Sequence, residues 1–268
     1  MKKIIFLLAS SAFFVACTTN AVTGRKQLAL FGEATLQQQA LTEYQSFLSQ
    51  NKVLNSGSNK DADMVKRVGL RISQAITQYY TQKGLASELN GYKWEFNLVD
   101  SKEVNAWCMP GGKVVVYTGL LGITQNEAAL AIVMGHEIAH AVTHHGNERM
   151  SQGALAQGLE IVGNIATANN EKYNTLFNNI FAPGAQIAFL LPNSRNQEYE
   201  ADHYGLNFAA MAGYNPREAI PFWQRMSAAA NGQKPPEFLS THPADENRIA
   251  KLNEFMPEAL GYYKPVGK

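Results

Sequence analysis

The strongest constraint on how this chain can fold is the run AALAIVMGHEIAHAVTHH, residues 128–145. It is apolar on nearly every side of a helix, yet it holds His136, Glu137 and His140. A helix that is apolar all round belongs in a core, so the fold must close over this one and still give its ionisable groups partners, because burying them bare is costly. At positions i and i+4 the two imidazoles project from one face, one turn apart. Four of the six histidines fall between residues 136 and 145, too many for mere core filling. TQNE, residues 124–127, has capping-box form, with Thr124 facing Glu127, and predicts a helix from there to about residue 145. Gly135 in its middle costs about 1 kcal/mol relative to Ala, which predicts close backbone approach by a neighbouring element.

Around this helix the pattern is mixed. Helical periodicity starts near Glu33 and breaks at NSGSNK, residues 55–60; a second helix then carries Val65, Val68, Ile72 and Ile76. YKWEFNLVD (92–100) alternates as a strand does, and NAWCMPGGKVVVYTG (105–119) reads as two short strands around a Pro-Gly-Gly turn. Residues 152–192, rich in small residues, read as helices broken at Pro183 and Gly184. SRNQ (194–197) opens a helix to about residue 212, GYNP (213–216) turns into another ending near 230, and a last one spans about 244–256. At 268 residues and 46% hydrophobic content, the chain can build one substantial core. The expected fold class is α+β, mainly helical: one domain over residues 33–268, with a small β-sheet beside the central helix.

H-E-x-x-H on a helix lets two imidazoles bind one zinc ion while the glutamate stands beside the open coordination position. One further protein ligand is needed. A continuation H-x-x-G-x-x-H is ruled out, since Thr143 and Gly146 occupy the positions that need Gly and His. Two distant acids compete, Glu160 and Glu198. Only Glu198 has an aspartate one turn on, Asp202, which can accept a hydrogen bond from the far nitrogen of a ligand histidine. Glu198 is therefore preferred. Glu200 points to nearly the opposite face and reads as solvated. His144 and His145 read as supporting or solvated groups, and His203 as structural.

The first sixteen residues read as a signal peptide: Lys2 and Lys3, then an apolar stretch (4–15) too short to span a bilayer. Ala16 followed by Cys17 resembles a bacterial lipobox, which makes Cys17 the expected lipid anchor, with Phe14 where leucine is usual. Residues 17–32 then read as a tether. Thr18 in place of aspartate suggests the outer membrane, by analogy with lipoprotein sorting. Removal of the signal takes the 23 basic residues to 21 against 22 acidic ones, and a near-neutral chain without a basic block gives no footprint for nucleic acid. With Cys17 lipidated, Cys108 has no partner; otherwise a bridge between the two stays open.

HEIAH (136–140), EYEAD (198–202), NAWCMPGG before VVVYTGLL, and STHPADENRI (240–249) together resemble one gluzincin metallopeptidase family. It includes the CAAX prenyl endopeptidases, HtpX-like membrane peptidases and OMA-type mitochondrial peptidases. The start of the chain and TGRKQLAL (23–30) look most like its periplasmic lipoprotein branch, the LoiP type. The resemblance implies one zinc per chain held by His136, His140 and Glu198, with Glu137 as general base. It also implies a catalytic His242 in the THP motif, acting as oxyanion donor or as a fourth ligand that holds the enzyme latent; the donor role is preferred. Arg248 would brace that segment through a carboxylate or form a surface pair. Asn105 and Ala106 would begin an edge strand to which an extended substrate adds, with Cys108 as a small apolar filler there. The implied substrates are unfolded or misassembled envelope proteins, met at the periplasmic face of the outer membrane. An assembly or holdase role using the same groove is the rival.

Overall fold

The computed structural model describes residues 17–156, 171–181, 194–230, 236–242 and 247–265. Its elements are β1 (Cys17–Thr19), β2 (Lys26–Leu28), α1 (Glu33–Gln50), β3 (Val53–Leu54), α2 (Lys60–Gln82), β4 (Glu95–Val99), β5 (Ala106–Met109), β6 (Lys113–Tyr117) and α3 (Thr118–Thr124). Then follow α4 (Glu127–Val142), α5 (His145–Ala156), α6 (Glu171–Phe181), α7 (Ser194–Met211), α8 (Ala219–Ala230), α9 (Phe238–Thr241) and α10 (Arg248–Tyr262). Glu160, Pro183 and Gly184 lie outside the described residues.

Helix α4 is the axis, buried along almost its whole length. One side rests on a four-stranded sheet of order β3-β4-β6-β5, in which β4 and β6 run parallel and the other pairs antiparallel. β6 is buried throughout, which explains its unbroken apolar run. Its pleat sends Val114 and Val116 into the larger core with α2, α4 and α7, and Val115 and Tyr117 into a second core with α1, α5 and α6. On the other side α7 crosses α4 where Gly135 meets Gly205: a Cβ on Gly135 would stand 2.6 Å from the Gly205 carbonyl oxygen. This is the close approach that a mid-helix glycine predicts.

Three boundaries differ from expectation. Thr124 does not cap α4; it ends α3, its hydroxyl bonding back to Leu121 O, and Gln125 turns the chain at φ 64°. Asn126 is the cap, accepting from Ala129 N at 2.8 Å. The central helix ends at Val142, and His144 turns the chain at φ 58° into α5. The last helix runs on through Pro257 to Tyr262. Within residues 17–32, expected as a tether, residues 17–28 pair as a hairpin bound to the helices: Tyr204 Oη donates to Val22 O at 3.1 Å and Asn20 Nδ2 to Thr143 O at 2.9 Å. Among the described residues no helix is long and apolar enough to cross a membrane.

Candidate metal centre

α4 and α7 together bring His136, His140 and Glu198 to one point. The Nε2 atoms of the two histidines lie 3.1 Å apart. Glu198 bridges them, with Oε2 at 3.3 Å from His136 Nε2 and Oε1 at 3.3 Å from His140 Nε2. His242, just past α9, sets Nδ1 at 2.8 Å from Glu198 Oε2 and 3.1 Å from His136 Nε2. Phe238 stacks on its ring at 4.6 Å. All four residues are buried, and their donor atoms fall within 4.8 Å of one another. A tetrahedral zinc ion with bonds of about 2.0–2.1 Å spaces its ligand atoms about 3.3 Å apart, so this donor set fits zinc in chemistry and in size.

The charges suit the same ion. Burial pushes His140 well below the ordinary histidine range, toward the neutral form that a ligand needs. For Glu198 burial opposes ionisation, but His242 and the two ligand histidines outweigh it and hold the carboxyl well below its usual range. Burial pushes Glu137 up to about 7, and its Oε1 has no hydrogen-bond partner although His242 Nε2 lies 3.3 Å away.

Each histidine on α4 is held from behind. His136 Nδ1 lies 2.9 Å from Asp202 Oδ1, and Arg248 grips that carboxylate with Nε and Nη2, both at 2.7 Å. Arg248 is 2% exposed and lies over the Trp223 ring, so it is no surface pair. His140 Nδ1 meets His145 Nδ1 at 2.7 Å, and His145 Nε2 meets Glu200 Oε2 at 2.9 Å. Glu200 is therefore not solvated as expected: its side chain, 11% exposed, also receives Arg25 Nε at 2.8 Å. His144 sits apart, its Nδ1 3.1 Å from Glu33, and His203 pairs with Glu258 on α10 at 2.7 Å.

β5 forms the opposite wall of the cleft over Glu137, with Asn105, Ala106 and Cys108 along it. It is the edge of the sheet. Asn105 O accepts from Tyr117 N at 3.1 Å, so by alternation the backbone groups of Ala106 and Cys108 face away from β6. The N–H of Ala106 is held by Asn105 Oδ1 at 2.9 Å. Phe238 N donates to Val104 O, fastening α9 and His242 to this strand. Cys108 is partly buried and, like the exposed Cys17, carries no disulfide. No sequence spacing points to Arg149, whose Nη2 lies 3.3 Å from Glu198 Oε1 and whose Nε donates to Gln197. Arg25 stands in TGRKQLAL with nothing periodic to link position 25 to position 200.

A buried H-E-x-x-H helix completed by a glutamate from a second helix defines a gluzincin zinc metallopeptidase. The sequence profile of peptidase family M48 matches residues 60–256, and the chain belongs to that family. It is similar to the mitochondrial metalloendopeptidase OMA1 of Bos taurus, 34% identical over 259 residues, which cover 92% of this chain and 47% of that protein. It is also similar to the Schizosaccharomyces pombe mitochondrial metalloendopeptidase OMA1, 37% identical over 65% of this chain and 50% of that one. A third relative, the beta-barrel assembly-enhancing protease of Escherichia coli K12, is 31% identical over 68% of this chain and 40% of its own. The chain thus spans about half or less of the length of these relatives.

Proposed function

We propose that the protein is a zinc-dependent endopeptidase of the bacterial cell envelope, of the lipoprotein branch, held through Cys17 at the periplasmic face of the outer membrane. Its substrates are misfolded or damaged envelope proteins. The observation that carries the reading is the convergence of His136, His140 and Glu198 beside Glu137, under a sheet edge able to take an extended chain. When bound, zinc supplies the Lewis acidity that activates a water at neutral pH and polarises the scissile carbonyl. Glu137, buried and lacking a partner on Oε1, takes the water's proton and returns it to the leaving amine. The backbone of Ala106 and Cys108 pairs with the substrate, which favours unfolded chains with little side-chain selectivity. The membrane location is supported by the lipobox-like start and by the beta-barrel assembly in the name of the Escherichia coli relative.

A second reading, an assembly or holdase factor whose proteolysis is latent, draws on one observation. His242 Nδ1 occupies the fourth corner of the donor set, where a water would otherwise be activated.

Glu137→Gln in the full chain, solubilised in detergent, tests the proposal. Zinc content and fold should persist while cleavage of an unfolded casein-type substrate falls at least ~100-fold. Cleavage at the wild-type rate would remove Glu137 from the chemistry.

A further inference from the structure

The two zinc-facing histidines of α4 are backed differently. The arm behind His136 reaches Arg248 of α10, inside the helical core. The arm behind His140 passes through His145 and Glu200 and ends on Arg25, in the hairpin that precedes the helical domain. We propose that Arg25, Glu200 and His145 are a positioning relay for His140, through which the N-terminal hairpin sets how firmly the metal is held.

With His140 Nε2 turned to the metal, the proton bookkeeping along the arm has one solution; Arg149 Nη2, 3.4 Å from His140 Nδ1, is itself a donor and takes no part in it. His140, with Nε2 turned to the metal, carries its proton on Nδ1. That N–H faces His145 Nδ1 at 2.7 Å, so His145 must accept there and carry its own proton on Nε2. Nε2 in turn faces Glu200 Oε2 at 2.9 Å, which accepts. Two imidazoles and a carboxylate thus fix one tautomer of His140 and one orientation of its ring. Glu200 must itself be held. Arg25 does this with Nε, while Nη1 and Nη2 fork onto Glu148 at 2.7 and 2.6 Å, the planar match of guanidinium to carboxylate.

Arg25 is presented rigidly. Asn20 Oδ1 accepts from Val22 N and Thr23 N at 3.0 Å each, and Asn20 N donates to Arg25 O at 2.9 Å. The same turn is fastened to the end of α4 through Thr143 O and to α7 through Tyr204. The hairpin that starts at Cys17 is therefore tied to both helices that supply zinc ligands, and a change in how it sits would be felt at His140.

The inference rests on His140 being a zinc ligand, and a zinc-retaining His140→Ala variant would remove that premise separately. The test is a double-mutant cycle on the full chain, read by the rate at which zinc passes to a chelating dye and by the absorption bands of the cobalt(II)-loaded protein. Arg25→Gln and His145→Phe should each speed zinc release by ~10–100-fold and shift the cobalt bands. In the His145→Phe background, Arg25→Gln should add less than ~2-fold, because its effect travels through His145. Arg67→Gln breaks a distant ion pair with Glu127 and should leave release unchanged. Multiplicative single effects, wild-type release in the single variants, or equal acceleration by Arg67→Gln would each overturn the relay. Should Arg25→Gln fail to fold, Glu200→Gln takes its place in the same cycle.

Discussion

Gly135→Ala tests whether the crossing of α4 and α7 holds the metal centre together. The added Cβ would lie 2.6 Å from the Gly205 carbonyl oxygen and 3.5 Å from its Cα. An unstrained carbon–oxygen contact starts at about 3.3 Å, so the helices must part by roughly 0.7 Å at the crossing. The obstacle is backbone, which cannot rotate aside. Overpacking of this kind costs about 1–3 kcal/mol, and the ~1 kcal/mol preference of a helix for Ala over Gly works against it. A net loss of up to about 2 kcal/mol is expected. Metal sites tolerate only about 0.2 Å in ligand distance, and the displaced helix carries Glu198. Zinc affinity should therefore fall ~10-fold or more. Urea denaturation of the metal-free protein gives the first quantity and competition with a chelating dye the second. Gly261→Ala, in α10 with nothing within 4 Å of the added atom, is the control and should gain stability by up to ~1 kcal/mol. A Gly135→Ala protein as stable as wild type, with unchanged zinc affinity, would refute the reasoning.

Glu198→Ala should lose both zinc and activity, measured by metal analysis and casein cleavage; full zinc retention there, with loss in Glu160→Ala, would move the third ligand to Glu160. His242→Ala separates its two roles at equal zinc loading. An oxyanion donor's loss should slow turnover by ~100-fold or more, which is the expected outcome; a faster variant would instead carry the latency reading that Nδ1 at the fourth corner supports. Cys17→Ala should release the protein from the membrane fraction in a high-salt wash, and retention there would defeat the lipid anchor.

Much of the site is legible in the sequence because helical spacing is a local property. His136 and His140 share a face by periodicity, Glu198 and Asp202 likewise, and Gly135 announces a close neighbour without naming it. What spacing cannot carry is the partner from afar. Glu200 looks solvated two residues from Glu198, since its face is defined only once the hairpin and α5 are packed against α7. Arg25 could equally be a solvated arginine until Glu148 and Glu200 are placed beside it. The start of α4 was obscured for another reason. Thr124 and Asn126 are both good caps, and the choice falls to Asn126 because Gln125 takes the left-handed turn that ends α3. Pro257 signals a stop, yet α10 continues through it to Tyr262.

The hydrogen bond from Ala106 N–H to Asn105 Oδ1 bears on what such a cleft must refuse. An open sheet edge invites any strand, including that of another copy of the same chain. Here one outward donor is stoppered by the side chain next to it. A visiting segment gains that backbone bond only by displacing the amide, so brief or poorly matched encounters win little. Those that pair along the neighbouring positions as well can drive the amide out. If substrates add to this strand as proposed, it would select for persistence of pairing rather than for sequence.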